Sequence, residues 1–206
     1  VLRSAAVFAL AFGLNYMMIQ MFQKESVEMQ TVYVPAGQRT LVTLSDSTTI
    51  WVNGKSTLVF PNRFSSQTRN VELDGEAYFE VQKDSKRKFI VSTAHQSAIR
   101  VLGTKFNVRA YKEMEEVITT LVEGKVNFEF FDENQQLRHV AMTPGQKLVF
   151  HSQDRRVELS QTSGKQELLW KDGKIIFYQS SLRDALEILA DRYNVEFVIH
   201  EDIPYD

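Results

Sequence analysis

The chain has 206 residues, a net charge of −2 at neutral pH and no cysteine. Its length fits one or two domains, and its hydrophobic and charged fractions, 43% and 24%, exclude a wholly disordered chain. Its dispersed basic residues give no nucleic-acid footprint, and the missing cysteine excludes disulfides, thiolate metal sites and a cysteine nucleophile. The sequence starts at Val1 and stops at Asp206 inside a readable element, so it reads as a fragment.

Residues 1–23 carry a run, Ser4 to Phe22, that is apolar apart from Ser4, Asn15, Tyr16 and Gln20. Roughly 19 helical residues span about 28 Å, close to the hydrocarbon core of a bilayer. A single transmembrane helix is expected, with Ala5, Phe8, Leu10, Phe12, Leu14, Met18, Ile19 and Phe22 facing lipid. A cleaved signal peptide fits less well, because the run is long and no small-x-small site follows it. A buried soluble helix is the third reading. Residues 24–31 read as a polar linker.

From Val32 the pattern changes to short alternating strands separated by turn residues. Val42 with Leu44, Ile50 with Val52, and Leu58 with Phe60 each share a strand face. Ser45–Thr49 and Val52–Ser56 read as turns, and the second holds an Asn53-Gly54 pair suited to positive φ. No helical period interrupts this pattern before Val157, so residues 32–165 are predicted to form an all-β body. Phe79, Val81, Val101, Phe106, Val108, Leu121 and Val126 are the expected core. Gly75, Gly124 and Gly173 each precede a Phe by four residues, and Pro35-Ala36-Gly37-Gln38 echoes Pro144-Gly145-Gln146. These echoes suggest a rolled or solenoid-like stack of strands. The frequent use of glycine before strands explains them equally well.

Glu72, Glu76 and Glu80 recur at every fourth position. In a strand, Glu76 and Glu80 lie on one face about 13 Å apart, at roughly 3.3 Å per residue. Glycosidase carboxylates sit about 5 Å apart in retaining enzymes and roughly 6.5–9.5 Å apart in inverting ones. The spacing suits neither, so the two glutamates are predicted to form a solvated outer face. The four histidines, His95, His139, His151 and His200, are scattered without metal-ligand spacing. No G-x-S-x-G, Walker A or G-x-G-x-x-G motif occurs, and no cofactor is implied.

Residues 166–206 differ in pattern. Lys174–Tyr178 reads as a strand. Ser180–Tyr193 reads as an amphipathic helix with Leu182, Ala185, Leu186, Leu189 and Tyr193 on one face and a capping box at Ser181 and Asp184. Val195–Ile199 reads as a second strand. This is a partial β-α-β module.

The segments "VPAGQRTLVTLSDSTTIWVNGKSTLVFP", "RNVELDGEAYFEV", "KFIVST", "VLGTKFNVRAY", "TLVEGKV" and "TPGQK" stand in the order found in FecR-like anti-sigma regulators, and the chain resembles that family over nearly all of Val32 to Ile199. "WKDGKIIFYQSSLRDALEILADRYNVEF" is similar to the C-terminal module of its Bacteroidetes branch. One departure is Ser45-Asp46-Ser47-Thr48, where the family usually has Pro-Asp-Gly-Ser, and a different turn is expected there. The resemblance implies a single-pass protein of the bacterial inner membrane, mostly periplasmic. Its partners would be an extracytoplasmic-function sigma factor, held by a cytoplasmic segment outside this sequence, and the signalling domain of an outer-membrane TonB-dependent transporter. The C-terminal module, resembling the short N-terminal domain of secretins and TonB-dependent receptors, would receive that domain. On the residues alone, Val195, Glu196, Phe197, Val198 and Ile199 form a candidate pairing edge, with Arg183 and Glu187 on the helix as further contacts. Internal pairing of those strands accounts for the pattern equally well.

Two other functions fit the residues. Trp51, Trp170 and strand-face tyrosines suit a carbohydrate platform on a membrane anchor, and Glu76 with Glu129 suits an envelope enzyme that draws carboxylates from separate strands.

Overall fold

The structure, a computed structural model, describes residues 12–18, 27–164, 168–175, 181–193 and 195–198. Thirteen strands and few helical segments make up the described residues. The strands are β1 (Met29–Val34), β2 (Thr40–Thr43), β3 (Thr49–Val52), β4 (Ser56–Pro61), β5 (Thr68–Glu80), β6 (Lys88–Thr93), β7 (Ser97–Val101), β8 (Lys105–Ala110), β9 (Glu116–Glu123), β10 (Val126–Phe131), β11 (Leu137–Met142), β12 (Gln146–His151) and β13 (Val157–Gln161). Helix α1 covers residues 12–18 and α2 covers Leu182–Tyr193.

Strand β5 organises the body. Its first half, Thr68–Asp74, lies between β4 and β6, and its second half, Gly75–Glu80, lies between β3 and β8. One sheet therefore runs β1-β4-β5-β6-β7-β10-β11 and the other β2-β3-β5-β8-β9-β12-β13. Only β5 and β6 pair in parallel among the described strands. After β5 the chain lays hairpins alternately on the two sheets: β6-β7 on the first, β8-β9 on the second, β10-β11 on the first, β12-β13 on the second. The strands are rolled into a curled sheet, as one of the expected forms had it, but no rung repeats at a fixed interval as a solenoid requires.

Gly75 marks the bend where β5 changes sheets. Its φ is +128°, and a Cβ there would sit 2.2 Å from Ser56 Oγ and 2.6 Å from Ser56 Cα. Ser56 is fully enclosed, and its Oγ accepts the Glu76 N–H at 2.9 Å. The strand can turn here because the residue at the turn has no side chain and the facing hydroxyl takes up the freed donor.

The inner faces meet in one core. Alternate residues of β3, β4, β5 and β8 are buried, as strand periodicity requires. Phe79 on the second sheet stacks on its neighbour Phe106 at 5.0 Å and meets Phe89 of the first sheet edge-on at 6.2 Å. At the other end Phe150 of the second sheet packs against Phe128 and Phe130 of the first. Every residue expected in the core is buried: Phe79, Val81, Val101, Phe106, Val108, Leu121 and Val126.

Several expectations change. Strand β1 begins at Met29 and pairs with β4, inside the span read as linker. At the Asn53-Gly54 turn it is Lys55 that takes positive φ, 57°, while Gly54 serves close approach: a Cβ there would lie 3.1 Å from Gly37 N. Ser47 adopts φ 69°, so the turn at Ser45–Thr48 keeps a left-handed residue where the family uses glycine. It is held there by Leu44 N–H to Thr48 O at 2.9 Å, and by Asp46, whose carboxylate accepts from the Thr48 N–H and hydroxyl.

Candidate functional site

Two polar clusters lie on opposite outer faces of the body. On the first sheet, Glu129 is buried beside Arg100, with His139 Nδ1 at 3.3 Å and Asn127 Nδ2 at 3.3 Å. On the second sheet, Glu76 projects from β5 between Asn53 and Asn107. The inward neighbours of both residues, Ala77 and Phe79 for Glu76 and Phe128 and Phe130 for Glu129, fill the core between the sheets. The core separates the two carboxylates, so they cannot share a catalytic site, and the envelope-enzyme reading loses its pair.

Glu76 also departs from the solvated face expected of it. Asn53 Nδ2 donates to its Oε2 at 2.9 Å and Asn107 Nδ2 to its Oε1 at 2.9 Å. Burial pushes the carboxyl above its ordinary value, against the opposing pull of the Asn107 and Asn53 amides and the Arg109 charge. Glu80 remains half-exposed near Lys105.

What encloses this face is the segment after β13. Leu169–Asp172 form a short 3-10 turn whose cap, Gly173, donates its N–H back to Trp170 O at 3.1 Å. The Trp170 indole N–H donates to Asn107 Oδ1 at 3.3 Å. Arg39, the last residue of the loop into β2, donates to the Trp170 carbonyl at 3.0 Å, and its guanidinium lies against Gly173. The Lys171 ammonium stands 5.7 Å from the centre of the Tyr78 ring. Tyr78 is only 4% exposed. Burial first, then the charges of Glu80, Glu123 and Asp172, push its phenol up to about 12. Trp51 pairs opposite Tyr78 on the same face. Trp51, Tyr78 and Trp170 are thus brought to one surface, as the carbohydrate reading required. Tyr78 is covered, however, and Trp170 is spent on Asn107, so no open aromatic platform results.

The C-terminal candidates are partly described. Helix α2 forms as expected from Leu182 to Tyr193, and the Ala185 N–H bonds to Ser181 O at 3.0 Å, which places Ser181 at the N-cap. Arg183 is exposed. Val195, Glu196, Phe197 and Val198 are exposed but form no strand, which corrects the strand expected there. The chain there makes no ladder among the described residues, which show the helix of the expected β-α-β unit. Lys174 and Ile175 are not strand either. Ile199, the Glu187 and Asp184 side chains, and Ile176–Tyr178 lie outside the described residues.

At the other end, Phe12, Leu14 and Met18 sit on α1 with their side chains exposed. Ala5, Phe8, Leu10, Ile19 and Phe22 lie outside the described residues. Among the described residues no helix is long and apolar enough to cross a membrane.

Residues 30–127, from β1 into β10, match the family model described as FecR protein. The chain is FecR-like. Two crystal structures of proteins assigned as anti-sigma factors from Parabacteroides distasonis ATCC 8503 superpose on it. One gives a TM-score of 0.73 at 27% identity, covering 87% of this chain and 81% of the other. The second gives 0.72 at 27% identity, covering 86% and 81%. No curated protein matches the sequence. The FecR match covers β1–β9, the outer face that holds Glu76 included, and the structural likeness extends over most of the chain.

Proposed function

We propose that this FecR-like chain is an anti-sigma-type regulator that relays a periplasmic signal to an extracytoplasmic-function sigma factor. The observation that carries this reading is the likeness, over 87% of the chain, to a protein assigned as an anti-sigma factor, together with the FecR match. In this reading the apolar run Ser4–Phe22 is a single anchor in the inner membrane and the β body lies in the periplasm. The segment from Trp170 onward receives the signalling domain of an outer-membrane TonB-dependent transporter. Exposed Arg183, Val195, Glu196, Phe197 and Val198 give that segment a mixed polar and apolar surface. Because Val195–Val198 is not a strand here, pairing with a partner's strand would have to order it on binding.

The test is a pull-down of the cognate transporter's signalling domain by the full periplasmic region, with and without the residues from Trp170 onward. Capture should be lost with the deletion. Undiminished capture would move the contact to the β body.

A further inference from the structure

The outer face of the second sheet is a finished receptor, while its occupant is lightly held. Asn107 and Tyr78 are buried and fixed: Asn107 has its amide committed to Glu76, and Glu76 is braced from the other side by Asn53. The Leu169–Asp172 turn, by contrast, has no buried residue. Among the described residues it is held to the body by one indole N–H, one guanidinium on a carbonyl and one ammonium over a ring. A seat that is organised in advance and an occupant held by a few directional contacts make a joint that opens without disturbing the body.

We infer that the Leu169–Asp172 turn is a reversible latch, closed through Trp170 on Asn107 and Arg39 on Trp170, and that it opens when the C-terminal segment engages its partner. The turn is where the chain leaves the β body for α2, so a load on α2 is felt first at Trp170. Opening would free Asn107 Oδ1 and uncover Tyr78 beside Trp51, changing the surface of the second sheet without changing its core. The second half of this inference rests on the function proposed above; the first half does not.

The experiment is hydrogen exchange on the full chain, read by mass spectrometry at residues 168–175 and at β5 and β8. Trp170→Phe keeps an aromatic ring, though a smaller one, and removes the N–H, and Arg39→Ala removes the guanidinium. Each should speed exchange at 168–175 by about three- to tenfold, the effect of losing one hydrogen bond, with β5 and β8 unchanged. Unchanged exchange at 168–175 in both variants overturns the latch. Equal loss of protection in β5 and β8 also overturns it, since Trp170 would then be part of the body's core. The second arm adds the isolated signalling domain of the cognate transporter to the wild-type chain. Binding with faster exchange at 168–175 supports opening on engagement, and binding with unchanged exchange there overturns it. Failure to bind at all counts against the proposed receptor role and, with it, against opening on engagement, while the variant arm still decides whether the latch exists.

Discussion

Arg69 and Asp46 form an enclosed ion pair, Nη1 to Oδ2 at 2.8 Å, with side chains 0% and 6% exposed. The pair ties the start of β5 to the turn before β3. The Arg69 guanidinium also donates to the carbonyls of Gln82 and Arg87 at 2.8 and 3.0 Å, and it lies 5.4 Å from the Phe89 ring centre. One cation thus satisfies two backbone acceptors near the two ends of the β5–β6 loop. Removing either partner leaves an uncompensated buried charge, which costs about 3–5 kcal/mol. Asp46→Ala and Arg69→Met are each expected to lose that much in urea denaturation. The double variant is expected to lose clearly less than the sum, because it leaves neither charge stranded. Additive losses would show that the two residues act separately.

Gly75→Ala places a methyl 2.2 Å from Ser56 Oγ and imposes a positive φ on a residue that avoids it. Crowding and backbone strain together predict a loss of at least about 3 kcal/mol. Adding Ser56→Gly should recover only a fraction of the crowding, because Ser56 Cα still stands 2.6 Å from the methyl and the acceptor of the Glu76 N–H is lost. A denaturation midpoint unchanged by Gly75→Ala would mean that β5 does not bend at this residue.

Ser47→Gly should have the opposite sign. Ser47 is left-handed at φ 69°, a conformation that costs a side chain about 1–2 kcal/mol. Part of that gain is lost to the greater freedom of glycine in the unfolded chain, leaving about 0.5–1 kcal/mol of added stability. The expected readout is a higher urea midpoint at unchanged slope.

Glu76 predicts a pH dependence. Burial raises its folded pKa above the ordinary 4.5, so the folded protein holds this proton more tightly than the unfolded chain does. The group's contribution is therefore complete below the unfolded pKa and is lost as pH rises through the folded one. The charged and polar groups facing it are Arg109, Asn53 and Asn107. Glu76→Gln removes the titration; Asn53 can turn its amide to meet the new donor, since Asn107 is held by Trp170. Wild-type stability minus that of Glu76→Gln should fall as pH is raised above the ordinary carboxyl value of 4.5. A difference that stays flat over that rise would place the carboxylate in water.

The core was readable in the sequence because it rests on period-two alternation, and Phe79, Phe106 and Val126 needed nothing else. Glu76 was misread because alternation says which face a side chain takes and not what lies over that face. Trp170, which bonds the Asn107 that holds Glu76, comes from far along the chain and reaches this face only through the folded topology. Lys55 and Ser47 show a second limit. Turn residues were assigned from intrinsic preference, while the hydrogen bonds of Leu44, Asp46 and Thr48 decide which residue carries the positive φ at Ser47. Val195–Val198 shows a third. Apolar and β-branched composition marks a segment able to join a sheet, but a strand needs a partner, and none is present among the described residues.

The alternating placement of hairpins about β5 carries a consequence for how the molecule assembles. Each hairpin after β5 adds to an edge that earlier residues have already built: β6-β7 and β8-β9 to the two halves of β5, then β10-β11 to β7 and β12-β13 to β9. No later strand must be inserted between two earlier ones. A chain emerging N-terminus first, from a ribosome or a translocation channel, can therefore grow both sheets outward in step with its own synthesis, and exposes at each stage one fresh edge per sheet that the next hairpin covers.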